Sequence, residues 1–135
     1  MSPIQSPWRW AAAAVLLANA GLHLPLVPEH LAEAPYIGVG FLGLSVVSVA
    51  LAVVLIAWDT ALAWVASGVI ALAAVVAFLA SRTVGLPQIH DDIGNWSEPL
   101  AVPALAVEVL TVAFAALALI HAAPAPGRRN ERTAP

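Results

Sequence analysis

The stretch "YIGVGFLGLSVVSVALAVVLIAWDTALAWVASGVIALAAVVAFLA", residues 36–80, holds two long apolar runs with only Asp59 and Thr60 between them. A bilayer core about 30 Å thick is crossed by roughly 20 apolar residues in a helix. Both runs reach that length, and neither contains a charged side chain. In lipid every backbone N–H and C=O needs a partner within the segment, so each run is expected to be a helix. No period-two alternation runs through them, which excludes a β-barrel. The two-residue connection predicts a tight antiparallel hairpin.

Two more runs lie outside this pair, at about 8–26 and 100–120. The expectation is therefore an all-α protein, a four-helix transmembrane bundle with spans near 8–26, 36–58, 61–80 and 100–120. These spans form one domain over residues 1–123. Pro25, Pro28 and Pro35 predict an irregular loop after the first span, and Gly85, Pro87 and Gly94 another after the third. Pro103 falls in the first turn of the fourth, where a missing N–H does no harm. Trp8, Trp10, Tyr36, Trp58, Trp64 and Trp96 sit near predicted span ends, where amphipathic rings prefer the membrane–water interface.

Composition agrees with this reading. The chain has 135 residues, 61% of them hydrophobic and 10% charged, against roughly half apolar and about a quarter charged in soluble domains. There is no cysteine, which removes disulfide scaffolds and thiolate metal sites. The formal net charge of −3, with all five basic residues arginine, argues against nucleic-acid binding. Arg9, Arg128, Arg129 and Arg132 flank the two chain ends, and only Arg82 lies toward a long loop. The positive-inside rule then puts the N and C termini in the cytoplasm of a multi-pass plasma-membrane protein, with both long loops outside. Residues 124–135, rich in proline, alanine and arginine, read as a disordered cytoplasmic tail. A rival reading takes Arg9, the run 11–17 and Ala18-Asn19-Ala20 as a signal peptide with its cleavage site. The apolar run continues past that site, which favours a retained helix.

Small residues allow close helix contacts in lipid. Ala14 and Ala18, Gly40, Gly43, Ser48 and Ala52, and the series Ala63, Ser67 and Ala71 offer them on the first three spans.

Polar residues inside the spans are the functional candidates. Glu108 lies eight residues into the fourth, about 12 Å along the axis at 1.5 Å per residue. A carboxylate at that depth costs ~2.5–3.5 kcal/mol on insertion scales and faces the bundle interior. Thr111 shares its face, three residues on. Asn19 and His23, four apart, share a face of the first span, and Ser45 and Ser48 lie on the second. Together they make one polar seam, read either as a hydrogen-bond network that sets helix register or as a proton or cation site. Glu29, His30 and Glu33 follow in the first outer loop, and His90, Asp91, Asp92 and Glu98 in the second. Histidine with carboxylate suits a divalent metal, and His23, Glu29 and His30 are the candidate ligands, although no recognised ligand spacing is present. Arg82 is placed to pair with Glu98, Glu33 or Glu29 and clamp the outer loops. Bis-histidine haem is disfavoured because His23 and His121 lie at opposite depths. No phosphate loop or nucleophile elbow occurs, so an enzyme ranks last.

Two stretches carry a resemblance. "HLPLVPEHLAEAPYIGVGF" (residues 23–41) and "SRTVGLP" (residues 81–87), followed by "EPL" at Glu98 and by Glu108, resemble a group of small four-span actinobacterial membrane proteins without an established activity. The resemblance implies the four-span fold and singles out His23, Glu29, His30, Glu33, Arg82, Glu98 and Glu108. This chain has Ala34 where the group carries tryptophan, and His90, Asp91 and Asp92 are its own. Two functions fit the residues. One is a small membrane protein handling a cation or proton through the outer cluster and Glu108, a pathway that a bundle this small would complete as a homo-oligomer. The other is a non-catalytic membrane subunit whose polar groups fix packing and whose outer loops bind a partner.

Overall fold

The computed structural model describes residues 4–122, so the tail expected at 124–135 lies outside the described residues. Helix α1 (Arg9–His23) runs through a 3-10 turn (Leu24–Leu26) into α2 (Val27–Glu33). Then come α3 (Pro35–Ala57), α4 (Ala61–Thr83), a short 3-10 turn (His90–Asp92) and α5 (Ala101–Ala122). Four stretches are long and apolar enough to cross a membrane: Arg9–Glu33, Pro35–Ala57, Ala61–Thr83 and Ala101–Ala122. The described residues form an all-α four-helix bundle, as expected.

The segment after the first span departs from the expected loop. Residues 24–33 are helical, and the chain reverses at Ala34 alone. The prolines do not break the helix: Pro25, Pro28 and Pro35 each fall in the first turn of a helical segment. There the missing N–H had no intrahelical partner to lose. Ala34 takes φ −142°, ψ 85°, the extended conformation that a following proline imposes. The reversal lays α2 back along α3 at Gly38, where an added Cβ would stand 2.6 Å from the Leu31 backbone nitrogen.

The opposite end of the bundle is closed by the turn between α3 and α4. Asp59 adopts a positive φ of 44°, and Thr60 caps α4 by accepting from the Ala63 N–H at 3.3 Å. Asp59 is buried and accepts from the Ser6 N–H and from Trp64 Nε1, both at 2.6 Å, while its carbonyl accepts from the Ile4 N–H at 2.8 Å. Trp64, expected at an interface, is thus fully buried in the core. That core gathers Leu16, Leu55, Trp64 and alanines from all four long helices.

Ala63, Ser67 and Ala71 are buried as a close-packing face should be, whereas Ala14, Ala18, Gly40 and Gly43 are exposed. The alanines of α1 that pack are Ala12, Ala13 and Ala20. Helix α1 packs chiefly on α3 and also on α5, and α4 packs on α5. Between α3 and α4 contact is sparse. A cleft therefore runs between these two helices toward the end that carries α2 and residues 84–100.

Candidate functional site

The polar seam expected from the sequence exists. One turn of α1 separates Asn19 from His23, and both are buried. Asn19 Nδ2 donates to Ser48 Oγ on α3 at 3.1 Å. Ser45, also buried, donates to its own helix at Phe41 O (2.8 Å) and reaches Ala20 O at 3.5 Å. These contacts pin α1 to α3 in one register. From α5, Glu108 reaches the same seam: its Oε1 lies 3.5 Å from His23 Nε2. Thr111, though buried, turns to its own helix and donates to Val107 O at 2.8 Å.

The tautomer of His23 follows from its neighbours. Nδ1 lies 2.9 Å from the Asn19 carbonyl, and a carbonyl only accepts, so Nδ1 carries hydrogen. Nε2 therefore faces the Glu108 carboxyl with a lone pair unless the ring is doubly protonated. One proton between them satisfies the pair, either on Nε2 as an imidazolium–carboxylate pair or on the carboxyl. With no proton, two acceptors oppose each other in a site where Glu108 is 3% and His23 4% exposed. The other carboxyl oxygen, Oε2, has no hydrogen-bond partner among the described residues.

A second polar group forms where α4 ends. Arg82, 5% exposed, places NH2 on Glu98 Oε2 and NH1 2.7 Å from Asp92 Oδ1. Its guanidinium stacks on Phe78, 5.2 Å from the ring centre. Its carbonyl accepts the Gly94 N–H at 2.9 Å. Gly85 (φ +80°) and Gly94 (φ +76°) supply the left-handed turns that carry residues 84–100 around this arginine. Tyr36 OH, donating to Pro87 O at 2.7 Å, ties the same segment to the start of α3.

Both groups line one cavity of about 340 Å³ within the α3–α4 cleft. Its walls are mostly apolar. Gly68 of α4 faces Ala115 of α5, and the antiparallel register sets Glu108 opposite residue 75. Arg82 is then seven residues, roughly 10 Å, nearer the loop end. His30, from α2, also lines the cavity, and the Phe41 ring lies between it and His23, at 4.8 and 5.0 Å.

The expected ligand set fares differently. His30 is half-buried with Nδ1 on the Leu26 carbonyl at 2.9 Å, and Glu29 is exposed. His23, Glu29 and His30 do not gather: among the described residues, no three histidine or acidic side chains are close enough to hold a metal ion. Helical continuation through residues 24–33 is the reason, because it spreads these side chains along an axis instead of folding them into a loop. The ion pair expected at Arg82 differs in one partner. Arg82 does meet Glu98, but Glu33 is exposed and Asp92 is the second partner. Asp59 was read only as a turn residue. Its signal was present in the indole of Trp64 five positions on, a donor that needs an acceptor when buried. In comparisons with family models, curated proteins and solved structures, nothing matches this chain.

Proposed function

We propose that this is a multi-pass plasma-membrane protein, with both termini cytoplasmic, that takes a proton from the outer side onto the His23–Glu108 pair. What carries the reading is the commitment of His23 Nδ1 to the Asn19 carbonyl, at 2.9 Å, with Nε2 turned to Glu108. An acceptor pair inside a bundle holds a proton or pays a desolvation penalty, and intramembrane carboxylates mark proton and cation paths by default. The cavity connects this pair with the Arg82 group, giving the proton a route from the loop end. The surroundings are nearly uncharged. Facing the pair are Asn19 on α1, Ser45 and Ser48 on α3, His30 on α2 beyond Phe41, and, across the cavity, Arg82 with Asp92 and Glu98. Membership of the actinobacterial four-span group belongs to the same reading, carried by the two quoted stretches.

Infrared difference spectra of the protein in lipid, recorded across a pH series, test the proton site. A protonated-carboxyl band that titrates, disappears in Glu108→Gln and shifts its midpoint in His23→Gln is the expected result. Absence of any band dependent on Glu108 overturns the reading. For orientation, the chain lacks cysteine, so His90→Cys supplies a single label site. Impermeant maleimide should reach it from outside intact cells; labelling only after permeabilisation reverses the topology.

A second reading, the non-catalytic subunit, draws on the Asn19–Ser48 bond and the Ser45–Ala20 contact, which fix helix register. Under it Glu108→Gln leaves assembly unchanged and no proton is taken up.

A further inference from the structure

Three features remain after the proton pair is described: the buried Asp59 turn, the exposed histidines, and the cavity itself. Asp59 is fully occupied with backbone and indole donors, and the exposed histidines have no companions. The cavity is lined by two buried side chains with unpartnered polar atoms, Glu108 at Oε2 and Arg82 at Nε.

We propose that the α3–α4 cavity is a binding site for a small protonated organic amine with an apolar body, its ammonium donating to Glu108 Oε2. The inference rests on the reading of Glu108 and His23 as a proton pair and names a ligand for it. Its first support is the orphaned acceptor: Oε2 belongs to a side chain 3% exposed, lines the cavity and has no partner among the described residues. A buried acceptor without a donor is costly, and a donor delivered by a ligand removes that cost.

Size and lining agree. About 340 Å³ lies at the lower end of the ~300–1,000 Å³ typical of small-molecule sites, which combine apolar walls with a few placed polar groups. Leu26, Phe41, Ile70, Ala74 and Phe78 provide such walls. The distance of roughly 10 Å from the Glu108 level to Arg82 suits a one-ring amine with a short linker. Charge selects the sign. The single guanidinium at the loop end already lies against Asp92 and Glu98, although its Nε has no partner among the described residues, and carboxylates outnumber arginine around the cavity. An anion would meet net negative charge, and a cation is drawn inward. When the ammonium binds at Oε2, the shared proton stays between His23 Nε2 and Glu108 Oε1, so the ionised carboxylate accepts at both oxygens.

The test uses the full chain in nanodiscs with three probes of similar shape: 2-phenylethylamine, 2-phenylethanol and 3-phenylpropionate. Calorimetry should give the amine an affinity about tenfold or more above the alcohol, as expected for a charge-assisted hydrogen bond. Glu108→Gln should abolish the amine preference. Ala77→Phe, which narrows the cavity on the loop side of the Glu108 level, should weaken every probe. Equal binding of amine and alcohol, preference for the carboxylate, or an amine preference that survives Glu108→Gln overturns the proposal. So does failure of all probes to bind a folded protein. Infrared titration of the same samples separates the two readings. A Glu108 band that titrates without amine preference keeps the proton pair and removes the ligand. An amine preference lost in Glu108→Gln, with no titrating band, keeps the ligand site and removes the proton pair.

Discussion

Nε2 of His23 stands 3.5 Å from Oε1 of Glu108 while Nδ1 of the same ring donates to the Asn19 carbonyl. Two helices, α1 and α5, are therefore joined through a pair that needs one proton. Without it, two buried acceptors face each other, at a cost of about 1–3 kcal/mol. The thermal midpoint of the wild-type protein in detergent should fall as pH rises through the loss of that proton. Glu108→Gln carries an amide that can donate to Nε2 at any pH, so its midpoint should stay flat over the same range. Parallel pH profiles for the two proteins would show that no shared proton stabilises the fold.

Arg82 anchors residues 84–100 through Glu98, Asp92 and the Gly94 amide. Removing one member of a buried ion pair costs ~3–5 kcal/mol. That is an upper bound here, because the Asp92 and Glu98 side chains retain 24% and 29% exposure. Arg82→Ala should lower the melting midpoint and open residues 84–100 to limited proteolysis while α1–α3 packing persists. Arg82→Lys should restore little, since an ammonium lacks the planar fork that reaches two carboxylates.

Asp59 gathers the N-terminal segment, the α3–α4 turn and Trp64 around one buried carboxylate. Hydrogen bonds to charged groups contribute about 1.5–3 kcal/mol each. Asp59→Ala should be the most damaging single change at this end, read as a lowered midpoint. Its near-ultraviolet circular dichroism should also lose the signal of a rigid Trp64. Asp59→Asn keeps one acceptor but points an amide donor at a donor, so it should fall between the two.

Gly38 admits the Leu31 backbone, with a Cβ position only 2.6 Å from its nitrogen. Gly38→Ala must push α2 away from α3, at an overpacking cost of about 1–3 kcal/mol. A disulfide engineered across α2 and α3 should form readily in the parent and slowly in this variant. Gly40→Ala, with nothing within 4 Å of its Cβ position, is the matched control and should be neutral.

Helix content and span number were legible because lipid leaves the backbone no alternative, and 20-residue apolar runs announce themselves. That Asn19, His23 and Glu108 turn inward was legible for a related reason, since polar groups within spans avoid lipid; that His23 meets Glu108 was not, because it depends on how α1 and α5 pack. Legibility failed at Ala34. Proline was weighed as a breaker, but its effect depends on whether it falls in a first turn, and that position is set by where each helix begins. The metal expectation rests on the same loop, and the helix through residues 24–33 leaves His23, Glu29 and His30 apart.

Composition and run length alone establish the four helices, because an unpaired backbone N–H or C=O in lipid is a local cost incurred residue by residue. Which of the alanines pack, that Trp64 is core and not interface, that Asp92 rather than Glu33 meets Arg82, and that a cavity separates α3 from α4 are matters of assembly. Each depends on the relative rotation of helices far apart in sequence. Apolar surfaces that look alike from every side carry no record of that rotation until their small residues and buried polar atoms meet in three dimensions.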